Sequence, residues 1–190
     1  NVLEASKHHN KPVVYAGVGN IDDNSMYTIS KAVSERFVLM YNAEHNTNFF
    51  PFRIFNVYGP NQDQNTGKLI INTIHKALNN EPITIYGDGK QVMDFIYVKD
   101  VISIMSFAIE NIENIENKIY DIGTSEAASI IDVVKLILKL TDSNSKINFE
   151  SKRMGDKMRF VTANRERFLT NSINFHTLEQ GLLKTIESIK

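Results

Sequence analysis

The chain has no cysteine, which removes disulfides, thiolate catalysis and cysteine-ligated zinc from consideration. It has no excess of either charge: 21 Lys and Arg stand against 22 Asp and Glu, a formal net charge of -1. No global field therefore recruits nucleic acid or an acidic membrane surface, and an anionic ligand needs local donors. No apolar run approaches the ~20 residues that span a bilayer, and no charged stretch leads into an apolar signal region. Internal repeats, low-complexity tracts and a clear linker are missing too. What is left is an ordinary soluble globular chain of 190 residues, 42% hydrophobic, able to bury a sizeable core in one or two domains. Cytoplasm is the expected compartment, since a cysteine-free composition suits reducing surroundings. The first residue is Asn1 and NVLEASKHH already reads as the middle of a helix, so the chain is expected to be part of a longer one.

Residues 1–9 are expected to be helical, and KPVVYAGVG supplies a β-branched run that ends in small residues. From about Ser25 to Asn46 the apolar positions Ala32, Val33, Phe37, Met40 and Tyr41 recur at helical spacing. FFPFRIFNVYGP then reads as one strand closed by a Gly-Pro stop. This is a βαβ unit, which implies a parallel sheet with a right-handed crossover and hence an α/β fold. After a polar loop at 61–67, KLIINTIHKALNN is amphipathic and PITIYGDGKQ reads as a strand with a Gly-rich turn. DFIYVKDVISIMSFAIENI begins extended and turns helical near Val98, NKIYDIGTSEAAS gives one more short strand, and IIDVVKLILKL is a helix with Ser129 as its N-cap. The tail from 146 combines a basic loop, SKRMGDKMR, with a last amphipathic helix, HTLEQGLLKTIESIK.

The chemistry starts in NSMYTISKAVSERF, where Tyr27 and Lys31 stand four apart on one helix. That spacing puts their Cβ atoms roughly 5–6 Å apart on one face. A free phenol, with a pKa of about 10, is a poor base at neutral pH, but an ammonium within ~4–6 Å favours its phenolate. The pair is then a usable acid/base for a substrate hydroxyl. On spacing alone, Tyr27 as a cap on the core and Lys31 as a solvated residue is the better reading, since Tyr-x-x-x-Lys recurs often by chance.

Four further motifs follow in order: RIFNVYGPNQ, YGDGKQVMDFIYVKDV, YDIGTSEAASIIDVV and KRMGD. With the Tyr-x-x-x-Lys pair and the small-residue strand before it, they resemble the extended short-chain dehydrogenase/reductase family of NAD-dependent sugar-nucleotide epimerases and dehydratases, over essentially the whole chain. The resemblance implies the C-terminal part of a Rossmann-type parallel sheet in residues 1–60. A smaller mixed α/β substrate-binding region is implied in 61–190, with 94–135 partly packing back on the first part. It implies NAD, in preference to NADP, as cofactor and a nucleoside diphosphate sugar as substrate, with no metal, no nucleic acid and no membrane. Tyr27 then resembles the catalytic tyrosine, and Lys31 the lysine that holds the nicotinamide ribose and favours the phenolate. Ala16, Gly17, Phe55 and Val57 match positions that meet the cofactor, and Asn56 matches the amide that contacts the sugar nucleotide. Lys68 and Leu69 look like the pair near the diphosphate and base, and Ile85 and Tyr86 are similar to residues that wall the nucleobase. Arg153 and Asp156 match a late arginine on the diphosphate and a carboxylate on the nucleotide ribose; arginine's planar fork suits the former. Phe55 reads as well as a core aromatic, Lys68 as a solvated helix start and Tyr86 as the end of a strand. Members of the family commonly pair such helices into a two-fold dimer, so Phe37, Met40 and Tyr41 imply a homodimer through a four-helix contact, unless all three are core.

The pattern departs from the family in three places. The Gly-rich strand-to-helix turn that cradles the dinucleotide pyrophosphate and the acidic residue for the adenosine ribose are absent from the sequence, so the resemblance starts about halfway through the Rossmann domain. Gly17, Val18 and Gly19 stand where the family carries serine or threonine near the reacting oxygen; Ser25 is the nearest substitute. Loss of such a donor lowers turnover by around 10²-fold if nothing replaces it. Met93 stands beside Asp94 where the family has an arginine, which leaves anion binding to Arg153 and Lys68. Val18 and Met93 motivate the rival reading, a binding subunit that has lost catalysis. Within the enzyme reading, epimerisation fits better than dehydration, because no Asp-Glu pair stands beside the strand end.

Overall fold

The structure is a computed structural model that describes residues 1–152, 160–164 and 173–189. In chain order its elements are α1 (Val2–His8), β1 (Val13–Val18), α2 (Met26–His45), β2 (Phe49–Ile54), β3 (Asn56–Tyr58), α3 (Leu69–Leu78), β4 (Ile83–Tyr86), β5 (Val92–Tyr97), α4 (Val98–Glu110), β6 (Tyr120–Ile122), β7 (Ala127–Ser129), α5 (Ile130–Thr141), β8 (Ile147–Glu150), β9 (Phe160–Val161) and α6 (Leu178–Glu187). β1, β2 and β6 form a parallel sheet in that order, with Val13 opposite Phe49 and Phe52 opposite Tyr120. A parallel pair needs a long crossover, and α2 supplies it between β1 and β2. Pro51, which has no N–H, lies one residue before the β2–β6 ladder begins. The α/β fold is therefore the one expected: the C-terminal part of a Rossmann-type sheet with a smaller mixed region beside it.

FFPFRIFNVYGP does not stay in one sheet. It breaks at Phe55, whose N–H donates to Ile122 O (3.0 Å), and β3 goes on to pair with β5 in a second sheet. Hydrophobicity is continuous across the break, so periodicity gives no sign of it. The tail adds a strand the sequence reading does not expect, before SKRMGDKMR, most of which lies outside the described residues. Ile147–Glu150 is a strand parallel to β4, held at its ends by Ile83 N–H on Lys146 O and by Gly87 N–H on Glu150 O, at 2.9 and 2.8 Å. β7 and β9 flank β5, antiparallel and parallel respectively.

Two apolar cores result. Phe50, Phe52, Ile96, Val101, Ile104 and Ile122 close the first around the parallel sheet. Tyr58, Ile74, Ile85, Val133, Ile137 and Leu182 close the second, which α3, α5 and α6 cover. Before α6, His176 is tied to the buried Asp100: its N–H donates to Oδ2 (3.0 Å) and Nδ1 lies 2.7 Å from Oδ1. Thr177 and Gln180 then cap α6 reciprocally. Gly181 lets α6 settle on Tyr58, since a Cβ there would fall 2.2 Å from the Tyr58 oxygen.

Two buried charged groups fix the geometry near the strand ends. Asp94 is fully buried, and its carboxylate accepts from Thr124 N–H and Oγ1, Ser125 N–H and Ala163 N–H. It thereby binds the loop after β6 and the segment after β9 to β5. Glu35 on α2 takes a two-pronged bond from Arg53 on β2, Nε to Oε2 at 2.9 Å and Nη2 to Oε1 at 2.7 Å. That bond, followed by the Asp121 and Asp22 carboxylates, raises the Arg53 pKa further, against the opposing effect of its partial burial.

Removing either group should be costly in a way that denaturant unfolding can read. Asp94→Ala strands three backbone donors in the interior and is expected to cost about 3 kcal/mol or more. Arg53→Met is expected to cost about 3 kcal/mol by leaving Glu35 buried and unpaired, whereas Arg53→Met with Glu35→Met recovers most of that loss. A double variant no more stable than the single one would contradict this reading of the pair.

Candidate active site

The C-terminal ends of β1 and β2 open into a cleft of about 640 Å³, a size within the range of small-molecule sites. Four segments supply most of its lining. The strand end brings Ala16 to Asn20, α2 brings Tyr27 and Lys31, and the β2–β3 junction brings Ile54 to Tyr58. The head of α3, Gly67 to Ile70, closes the far side. Ala16, Gly17, Tyr27, Lys31, Phe55, Asn56, Val57, Lys68 and Leu69 thus meet at one cleft. Ile85 and Tyr86 do not line it: Ile85 is 2% exposed, opposite Phe149 in the β4–β8 pair and packed into the second core. Arg153 and Asp156 lie outside the described residues.

Lys31 sits in a defined place. Its ammonium donates to Ala16 O at 2.8 Å, lies 5.2 Å from the Tyr15 ring centroid and 5.9 Å from that of Tyr27. Tyr15 Oη donates in turn to the Lys31 carbonyl at 3.2 Å. Tyr27, 61% exposed, stands one helical turn earlier with its ring open to the cleft. The cleft holds a second tyrosine, and burial separates the two. Tyr58 is 2% exposed, its hydroxyl donates to Leu178 O (3.3 Å), and desolvation and then the Asp100 carboxylate push its phenol well above the ordinary tyrosine value. Tyr58 is therefore a fixed hydroxyl in the floor, and Tyr27 is the tyrosine left exposed at the cleft.

The floor is shaped by close approach. A Cβ on Gly19 would lie 2.5 Å from the Phe55 ring, so only glycine lets the chain after β1 lie flat on that aromatic. Asn56 is oriented by its Nδ2, which donates to Asp94 O at 2.9 Å. At the far side Gly67, with φ 68°, turns the chain into α3, whose N-cap Lys68 makes no side-chain capping bond. An uncapped helix start beside an ammonium favours an anion such as a phosphate.

Ser25 does not fill the place of the missing hydroxyl. Its Oγ accepts from Thr28 N–H (3.1 Å) and pairs with Thr28 Oγ1 (3.0 Å) as the N-cap of α2. Asn20 and Gln62 are further polar residues among those lining the cleft, and Met93 lines it as well. Sequence reasoning missed Asn20, Gln62, Tyr15 and the Glu35–Arg53 pair. A signal for the last was present: a lone arginine inside FFPFRI, and a glutamate one turn beyond Lys31.

The NAD dependent epimerase/dehydratase family model matches residues 5–123. Among curated proteins, UDP-glucuronic acid decarboxylase 1 of Xenopus tropicalis is 29% identical over 181 residues, which take in 94% of this chain and 42% of that protein. The chain thus spans less than half the length of this relative. Among solved structures, the UDP-N-acetylglucosamine 4-epimerase of Methanobrevibacter ruminantium, in complex with UDP-N-acetylmuramic acid, shares the fold. Its TM-score is 0.89 at 22% identity, over 99% of this chain and 66% of that one. The UDP-glucuronic acid 4-epimerase of Bacillus cereus, in complex with UDP-glucuronic acid and NAD, aligns with a TM-score of 0.85 at 25% identity, over 99% of this chain and 64% of that one. A family match over more than half the residues, on a fold that carries the Tyr-x-x-x-Lys pair at its strand ends, places this chain in the NAD-dependent epimerase/dehydratase family.

Proposed function

We propose that the chain supplies the acid/base and sugar-nucleotide side of an NAD-dependent enzyme that epimerises a nucleoside diphosphate sugar. The observation that carries this reading is the arrangement of Tyr27 and Lys31 at the mouth of the β1 strand end, one exposed to the cleft and the other held against Ala16. Tyr27 acts as the phenolate, stabilised by the Lys31 ammonium, when it takes the proton of a sugar hydroxyl, and as the resulting phenol it returns that proton. NAD, when bound, supplies the two-electron acceptor. The residues present fit its nicotinamide end: the Gly17 and Gly19 backbone at the strand end, the buried Phe55 ring under Gly19, Val57 in the same lining, and the Lys31 ammonium within reach. Asn56, Lys68 and Leu69 face the sugar nucleotide, with Lys68 and the α3 N-terminus opposite its diphosphate. Arg153 and Asp156 remain proposed ligands of the same nucleotide.

Epimerisation is favoured over dehydration because, among the described residues, the cleft lining contains no Asp or Glu. Elimination of water needs an acid and a base besides the tyrosine, whereas epimerisation needs only oxidation, turning of the sugar and reduction from its other face. The UDP sugars named by the relatives are the first substrates to try.

A homodimer is proposed on separate grounds. Met26, Ile29, Val33, Phe37 and Met40 form an exposed apolar stripe on α2 at spacings of three and four. Tyr41, expected in the same contact, is instead turned toward α1, where its hydroxyl donates to Glu4 at 3.0 Å.

With the full-length protein, NAD and a panel of UDP sugars, Tyr27→Phe is expected to lower kcat by about 10²–10⁴-fold while sugar-nucleotide binding by calorimetry persists. Equal product formation by wild type and variant would refute the mechanism; binding without any isomer from wild type would favour a subunit that has lost catalysis. In light scattering at micromolar concentration the protein is expected to run as a dimer, and Phe37→Glu as a monomer. A wild-type monomer would count against the stripe as an interface.

A further inference from the structure

We propose that Tyr15 is a positioning residue for Lys31, acting from outside the cleft. This rests on the reading of Tyr27 and Lys31 given above. Tyr15 is on β1, immediately before Ala16, and the two residues hold opposite ends of the same lysine. The Tyr15 hydroxyl donates to the Lys31 carbonyl at 3.2 Å, its ring faces the ammonium at 5.2 Å, and Ala16 O accepts from that ammonium at 2.8 Å. Tyr15 itself does not line the cleft, so it reaches a ligand only through Lys31.

The two contacts on the ammonium differ in kind. The Ala16 bond occupies an N–H donor and has to be exchanged if a ligand oxygen claims that donor. The ring attracts the charge through its π face and leaves every N–H free. A lysine stem is flexible and its head strongly hydrated, so an ammonium held only by Ala16 would be released toward water when that bond is exchanged. The Tyr15 ring keeps it between two aromatic faces, beside Tyr27, throughout.

The test compares Tyr15→Phe, which keeps the ring and loses the hydroxyl, with Tyr15→Leu, which loses both, in the full-length protein. Tyr27→Phe is the control. In proton NMR the Lys31 ε-methylene signal is expected to be displaced upfield by the ring in wild type and Tyr15→Phe, and to move toward the free-lysine position in Tyr15→Leu, where only the Tyr27 ring remains near it. In kinetics Tyr15→Leu is expected to lose about five- to tenfold in kcat with the sugar-nucleotide KM unchanged, and Tyr15→Phe to stay within about twofold of wild type. Tyr15→Met, read the same way, serves if the leucine variant does not fold. Wild-type kcat and an unmoved Lys31 signal in the folded leucine or methionine variant would overturn the role of Tyr15, even with Tyr27→Phe inactive. A fully active Tyr27→Phe would instead overturn the acid/base reading, and the NMR comparison would still decide whether Tyr15 places the ammonium.

Discussion

The bond from the Lys31 ammonium to the Ala16 carbonyl joins a helix face to a strand end, and the site depends on that junction. Tyr27, Lys31 and Glu35 follow one another at four-residue spacing and so form one row along α2. Lys31 fastens this row to β1, and Glu35 fastens it to β2 through Arg53. With two of its three members anchored, the row leaves Tyr27 at the free end, above the cleft. The energetic weight falls on the Glu35–Arg53 pair, where a buried carboxylate would be unpaired without its partner. The chemical weight falls on Lys31, whose charge lies between two phenol rings.

That row explains an unusual feature of α2. The face toward the sheet carries a buried glutamate and a half-buried lysine, and much of the apolar content of the helix is turned outward. A helix so arranged satisfies the sheet through charge and hydrogen bonds and has apolar area left for another surface. Under the proposed function, catalytic geometry and assembly are set by opposite sides of one element. On the other side of the cleft, Asp94 plays the comparable structural part. It holds the loop after β6 and the segment after β9 with its carboxylate, and it orients Asn56 with its carbonyl.

Much of this frame could be read from the residues. The βαβ unit, the cap at Ser129 and the passage from strand to helix at Val98 all follow from local preferences, and the structure has each of them. The cleft residues on both sides, from Ala16 to Leu69, were legible only through the order of several motifs, since Tyr27 and Lys31 alone are compatible with an ordinary surface. What stayed hidden is non-local. The break at Phe55 depends on a hydrogen bond to Ile122, and β8 exists because β4 offers it an edge. Ile85 lies in an apolar run that reads the same whether it faces a ligand or a core. Tyr15 reads as one more strand aromatic until Lys31 is folded over it.

Under the proposed function, one cleft, bounded by Tyr27, Lys31 and the α3 N-terminus, receives both NAD and the sugar nucleotide. A crystal structure of the full-length protein with NAD and a UDP sugar tests it most directly. The account predicts Tyr27 Oη about 3 Å from a hydroxyl oxygen of the sugar ring, and the diphosphate near Lys68. A sugar nucleotide bound elsewhere, with the Tyr27 hydroxyl in open solvent, would contradict it.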